Sequence, residues 1–335
     1  MKNNQHTILV VGGGSIGKRH LRNLLSLGEK NVFVVEPNKE RAQKEIEQEY
    51  NINTFRSLEE AFAEKEFTIA FICSPSIFHI EQALFCAQKG CDLFIEKPVS
   101  HSLDNIDTLL QITQEKNLIT MVGSNWKFYP SFQKMKELID GGSIGKILSA
   151  RCQFGQYLPD WHPWEDYRKG YSANKKLGGG ILLDSHEFDY LTWFLGGVNK
   201  LACFAGQVSD LEIDTEDVAE IILQFKNGAI GEIHLDYLQR FYRRNFEFFG
   251  ENGSILWSAN EKKVVLLEKD KEEQEFLLDE NYDINTMYVE QTVHFLESVK
   301  NRNNTISSVE SGAKVLQLIC AAKESSKEHK FILFD

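Results

Sequence analysis

Over the first 122 residues, short unbroken apolar runs alternate with stretches whose apolar residues recur at three- and four-residue spacing. The runs lie at 6–11, 31–35, 67–73, 91–95 and 118–122, and the helical patterns at 15–27, 39–50, 58–64, 79–89 and 103–116. Ser57 and Glu60 have capping-box spacing at the start of the third of these helices. Continuous apolar strands separated by helices predict a parallel sheet covered on both faces, a doubly wound α/β domain.

From Ile147 the rhythm changes. Strand-like runs follow one another at 147–156, 201–208, 218–225, 229–238, 245–249, 254–257, 263–267 and 276–278. Asn227-Gly228 and Asn252-Gly253 signal hairpins between neighbours. Helical patterns fall only at 181–195, 284–300 and 309–326. These features predict an α+β domain on a large, mostly antiparallel open sheet. The expected division is 1–122 for a dinucleotide-binding Rossmann domain and 123–335 for a substrate-binding and oligomerisation domain, with a cleft between them. So few helices leave one sheet face uncovered. Phe246 and Phe248, and Ile233, Leu235 and Tyr237, each share one side of a strand. An apolar face of that kind marks a partner surface, and a second copy of the chain is its commonest occupant.

The first strand runs into VVGGGSIGKRH, residues 10–20. Glycine costs conformational entropy, so four in seven positions need a backbone reason. Gly12, Gly14 and Gly17 fit G-x-G-x-x-G, in which the first permits the turn, the second admits a pyrophosphate and the third lets helix and strand pack. The helix start at Ser15 and Ile16 offers free N–H groups and a positive dipole end to phosphates. Glu36 closes the next strand 19 positions after Gly17, where an acid accepts both ribose hydroxyls of an NAD adenosine. A carboxylate there repels a 2′-phosphate, so NAD is favoured over NADP. Lys39 and Arg41 follow closely, either to accommodate NADP or as a solvated helix face.

Composition narrows the partners. The formal net charge is −12 with no basic block, which argues against nucleic acid. No apolar run approaches a membrane span, and the amino terminus is too short in apolar residues for a signal peptide. Six cysteines without Cys-x-x-Cys spacing predict buried thiols, no metal site and a cytoplasmic protein.

At FIEKPVS, residues 94–100, the sequence resembles the Gfo/Idh/MocA oxidoreductases, the glucose–fructose oxidoreductase and inositol dehydrogenase family. Gly12-x-Gly14-x-x-Gly17-x-x-His20 is similar to the family's extended glycine motif, and FICSPSIFH (71–79) to its strand end carrying Ser74, Pro75 and His79 at the cofactor. GSNWKFYP (123–130) is similar to the opening of its second domain, and GGGILLDSHEFDYL (178–191) to the helix bearing its catalytic histidine. The resemblance implies that Glu96 and Lys97 meet the cofactor, that Lys97 is catalytic, that Pro98 follows a cis peptide bond, and that the protein forms dimers or dimers of dimers. It implies an NAD-dependent dehydrogenase or reductase acting on CH–OH groups of a sugar, polyol or nucleotide-sugar derivative.

The residues carry part of that chemistry unaided. Lys97 ends a parallel strand, where open α/β sheets place ligands, and a lysine there can hold a developing alkoxide. His186 is the expected general base, since an unperturbed imidazole titrates near neutrality. Its partner is left open. Residues two apart on a helix face nearly opposite ways, so Asp184 reaches it only from outside the regular helix, whereas Asp189 and Tyr190 share its face. The loop LPDWHPWEDYRKGY (158–171) gathers Trp161, His162, Tyr167 and Arg168, which suit either a polyhydroxylated substrate or a subunit interface. Lys97 and Asp189 complete the substrate-lining candidates. Two rival readings are a non-catalytic dinucleotide-binding sensor and a methyltransferase using the glycine loop. Lys97 with His186 on the 181–195 helix argues against the first, and the Glu-Lys-Pro stretch with a large second sheet against the other.

Overall fold

A computed structural model describes residues 6–183 and 186–334. Its internal contacts divide the chain into two units, Met1–Asn125 with Ile284–Leu316, and Trp126–Asp283 with Gln317–Asp335. The segment Ile284–Leu316, expected with the second domain, therefore joins the first unit. Its helix carries Phe295, fully buried and edge-on to the stacked pair Phe71 and Phe94.

The first unit is a six-stranded parallel sheet in the order β3-β2-β1-β4-β5-β6, the doubly wound arrangement. The strands are β1 (Ile8–Val11), β2 (Val32–Val35), β3 (Thr54–Phe55), β4 (Ile69–Ile72), β5 (Asp92–Ile95) and β6 (Thr120–Val122). Every residue of β1, β4 and β5 is buried, as continuous apolar runs between helices require. The two-residue edge strand β3 is too short to show an apolar period and was not foreseen. Helix α1 (Ser15–Ser26) opens directly after the glycines. Residues 39–50 form one helical stretch with a π-type middle, Ala42–Glu47. In Leu58–Glu64 the Ser57 hydroxyl accepts the Glu60 N–H at 3.2 Å, while Glu60 reaches back to the Arg56 N–H at 2.6 Å, one residue beyond a strict capping box.

The second unit is a nine-stranded sheet, β14-β13-β12-β11-β7-β10-β9-β8-β15, in which β8 is Val198–Gly206, β13 Lys263–Glu268, β14 Gln274–Leu277 and β15 Ile332–Leu333. Its central strands are β7 (Ile147–Gly155), β9 (Val218–Phe225), β10 (Ile230–Asp236), β11 (Arg243–Gly250) and β12 (Gly253–Ser258). Only β7 and β10 pair in parallel. Both hairpins appear where Asn-Gly marks them, joining β9 to β10 and β11 to β12. The helix Pro130–Asp140, absent from the sequence expectation, covers one face together with His186–Leu195. Phe132 from the first of these helices packs on Phe246 and Trp257, and Phe194 from the second on Phe248.

That helix overturns one expectation. Ile233, Leu235, Phe246 and Phe248 are not on an uncovered face; all are fully buried in the core. The opposite face carries a row across the strands in which Ile222, Glu232, Arg151 and Glu247 stand in register, and Arg151 pairs with Glu232 at 3.2 Å. In the next row His234 lies between Glu220 (2.6 Å) and Asp236 (2.7 Å). Hydrogen bonding to Asp236, and then to Glu220, outweighs burial and pushes its imidazole up to about 9. Replacing Ile233 by Asp puts an unpaired carboxylate into the core and is expected to cost about 4 kcal/mol or more. Urea unfolding measures it, and a variant as stable as the parent would return this face to the surface.

Candidate active site

The glycine loop is shaped by close approach. Gly12 adopts φ +100°, and a Cβ on it would meet the Ser74 backbone at 2.9 Å. A Cβ on Gly17 would collide with the Gly12 carbonyl oxygen, so the turn and the helix start can pack only with glycine at both places. Gly14 differs: a Cβ there meets nothing within 4 Å. It is the N-cap of α1 and leaves the first turn without a side-chain cap. Open space facing free N–H groups at a helix N-terminus fits a pyrophosphate.

Glu36 is buried against this loop. Its carboxylate accepts the Gly13 N–H at 3.0 Å and the Asn38 N–H at 2.8 Å, and Arg41 reaches it at 3.2 Å. Arg41 thus serves the carboxylate rather than a solvated face. Gly13 also packs closely: a Cβ there would meet the ends of the Ile46 and Glu36 side chains, which would have to shift.

Three strand ends lie side by side, because Val11 stands in register with Ile72, and Ile72 with Ile95. Gly12, Ser74 and Lys97 follow these ends at the carboxyl edge of the sheet. The Lys97-Pro98 peptide is cis, as the resemblance implied. Glu96 is buried and turned inward: it bonds His20 Nε2 at 2.7 Å and accepts the Lys97 N–H at 3.2 Å. His20 is fully buried against the stacked pair Phe71 and Phe94. It ties α1 to the end of β5, and its spacing after Gly17 was the signal for it. His79 is buried too, its ring nitrogens facing the Pro98 and Ser74 carbonyl oxygens at 2.8 and 2.7 Å. Burial keeps it below its ordinary pKa, against the pull of both carbonyls. Ser74 bonds Gln82 at 2.7 Å. Glu96 and His79 accordingly hold the loops in place from behind. Nearby on the helix Asn285–Asn301, Tyr288 lies under the Arg19 guanidinium at 4.3 Å. Burial, and then the Glu96 carboxylate, push its hydroxyl up, while Arg19 and Lys97 act the other way.

In the second unit, His186 begins its helix and Asp184 lies outside the described residues. His186 Nδ1 is 2.9 Å from the Tyr190 hydroxyl, one turn on. Asp189 instead forms a buried ion pair with Lys127 at 2.7 Å. Glu187 and Arg244 form another, 2.8 Å apart and almost wholly buried. In the loop, Trp161 packs edge-on to Phe154 and Tyr237, His162 lies beside Trp164, and Tyr167 accepts the Glu212 N–H at 3.3 Å. Arg168 is held by both Asp166 oxygens and by Glu212. Among the described residues, no group of three or more His, Cys, Asp or Glu side chains is placed to hold a metal ion.

Two family profiles match: "Oxidoreductase family, NAD-binding Rossmann fold" over residues 6–124 and "GFO/IDH/MocA C-terminal domain" over residues 132–256. The chain belongs to the Gfo/Idh/MocA oxidoreductase family. It is an NAD-dependent oxidoreductase, and neither the non-catalytic sensor nor the methyltransferase reading finds support. The chain is similar to myo-inositol 2-dehydrogenase of Thermotoga maritima, 27% identical across 96% of this chain and 97% of that one. It is also similar to scyllo-inositol 2-dehydrogenase (NAD(+)) of Bacillus subtilis, at 24% identity over 89% and 87%. Among solved structures, a probable dehydrogenase from Thermotoga maritima aligns with TM-score 0.81 and 26% identity over 97% and 98% of the two chains. Levoglucosan dehydrogenase in complex with NADH shares the fold, with TM-score 0.88 and 19% identity over 98% of each.

Within the family's glycine loop the two kinds of glycine separate by experiment. Gly17→Ala should lower Tm and NADH affinity together, because the backbone must open. Gly14→Ala should leave Tm unchanged and weaken NADH binding alone, because its methyl group occupies the open space. NADH fluorescence titration beside thermal melts reads both, and equal behaviour of the two variants would refute the assignment.

Proposed function

We propose that this enzyme moves hydride between NAD and a carbinol carbon of a sugar, a polyol or a nucleotide-linked sugar. The observation that carries the reading is the shared edge of the parallel sheet, where the glycine loop, Ser74 and Lys97 follow strand ends in register. The named substrates of the inositol and levoglucosan dehydrogenases support the substrate class. Gly12, Gly14 and Gly17, with the N–H groups of Ser15 and Ile16, would hold the pyrophosphate, and Glu36 the adenosine ribose. Bound NAD supplies the hydride chemistry. Lys97 holds the substrate oxygen and stabilises the alkoxide as it forms. His186 exchanges the hydroxyl proton, directly or through water. Trp161, His162 and Tyr167 line the substrate, whose C–H faces suit aromatic rings. Arg168 and Asp189, engaged by neighbours, shape that lining. We place the enzyme in the cytoplasm on its six cysteines, which have no Cys-x-x-Cys spacing and of which five are buried.

We also propose a homodimer or homotetramer, joined through the sheet face opposite the core. Phe204, Leu148, Ile222 and Ile230 are all exposed there, beside the charged row of Glu232, Arg151 and Glu247. Ile222→Asp should give monomers that remain folded. A 38 kDa parent species by light scattering at micromolar concentration would sink the proposal.

An NAD-coupled screen of free and nucleotide-linked sugars tests the activity. On a substrate so found, Lys97→Ala and His186→Ala should each lower kcat by about 10²-fold or more while leaving NADH affinity nearly intact. Near-parental kcat in both variants would show the mechanism to be wrong.

A further inference from the structure

His186 sits at the start of its helix, and Tyr190, one turn later, is its neighbour on the same face. The rings lie nearly parallel, 20° apart with centroids at 5.6 Å, and the phenol oxygen is 2.9 Å from Nδ1. Tyr190 itself is fixed. It is fully buried, Phe132 meets its ring edge-on at 5.1 Å, and the Trp126 N–H donates to its oxygen at 3.3 Å.

A phenol has one proton and two lone pairs. Among the described residues, two groups stand at this oxygen: the Trp126 N–H, which is a donor only, and His186 Nδ1. The phenolic proton therefore has Nδ1 as its acceptor. We infer that Tyr190 is the positioning residue of His186, donating to Nδ1 of the neutral ring and so setting its tautomer and its readiness to take a proton. This rests on the reading of His186 as the proton-exchanging group.

The consequence differs from that of a carboxylate partner. A carboxylate only accepts, and its charge favours the imidazolium. The phenol stays neutral, since burial first and Asp189 second hold its pKa well above the ordinary value. Its bond to a bare Nδ1 is lost when the ring becomes doubly protonated, because the phenol must then accept and its own buried proton has no partner. The bond thus favours neutral His186, with the ring proton on Nε2. The ring accepts a substrate proton at Nε2 only after its own proton has moved to Nδ1 and the phenol has turned to accept it. Tyr190 in this way sets the share of rings ready to act as base.

The charged groups around Tyr190 are paired among themselves. Asp189 and Glu187 come from its own helix, and Arg244 from β11 holds Glu187. Lys127, from the turn Asn125–Phe128, holds Asp189.

The test is nitrogen-15 NMR of histidine-labelled full-length protein, with His186→Asn to assign the ring. Neutral His186 should carry its proton on Nε2, and Tyr190→Phe should raise the His186 titration midpoint by about half a pH unit or more. A ring protonated at Nδ1 in the parent, or a midpoint that stays or falls in Tyr190→Phe, would overturn the inference. Should Tyr190→Phe not fold, the parent tautomer decides alone. The reading of His186 stands or falls separately, on whether His186→Asn keeps its turnover in the NAD-coupled assay.

Discussion

The approach of Gly17 to the carbonyl oxygen of Gly12 is the constraint on which the first unit depends. It leaves no room for a side chain, and it brings the start of α1 against the end of β1. From that contact the remaining geometry follows. The helix N-terminus points its N–H groups at open space beside Gly14, and Glu36 braces the loop through the Gly13 N–H. His20, three residues after Gly17, drops into the sheet and meets Glu96, which in turn accepts the Lys97 N–H. A single backbone contact is thereby linked, through two buried polar groups, to the lysine proposed to hold the substrate oxygen. Buried charge is costly unless it is bonded, and the His20–Glu96 pair is bonded.

In the proposed cofactor site the same logic would let a protein of net charge −12 hold an anionic dinucleotide. The positive ends would lie in the backbone at the start of α1. A helix N-terminus presents partial positive charge over one turn, and it does so without altering net charge. Arg41, a nearby cation, is engaged by Glu36. Its guanidinium compensates a buried carboxylate that would otherwise lose its water without return.

What the sequence disclosed and what it hid divide along a physical line. Strands with unbroken apolar runs and the helix between them were legible, because burial on both faces leaves a continuous signal in β1, β4 and β5. The glycine loop was legible because its glycines meet steric limits. The helix Pro130–Asp140 was not, because it is short and only Phe132, Met135 and Leu138 mark its buried apolar stripe; without its cover the strand period alone puts Phe246 and Ile233 on an open sheet face. The membership of Ile284–Leu316 was hidden for another reason. Sequence distance says nothing of Phe295 packing edge-on against the stacked pair Phe71 and Phe94, contacts that span more than 200 residues. In the candidate site, residue types were readable and hydrogen-bond partners were not. Glu96 and His79 were expected to meet the cofactor, yet they spend their polar atoms on His20 and on backbone groups of the neighbouring strand ends.

The partner of His186 shows what such partners decide. Spacing alone allowed Asp189 and Tyr190 on its face, and charge complementarity would have chosen the acid. Packing chose otherwise. Asp189 is drawn to Lys127, whose buried ammonium needs a counter-charge more than a neutral imidazole does. That pairing leaves the hydroxyl of Tyr190 at Nδ1, held from the other side by the Trp126 N–H. Lys127, the second residue of the second unit, thus engages Asp189 and leaves the neutral Tyr190 hydroxyl, rather than that carboxylate, at Nδ1 of His186.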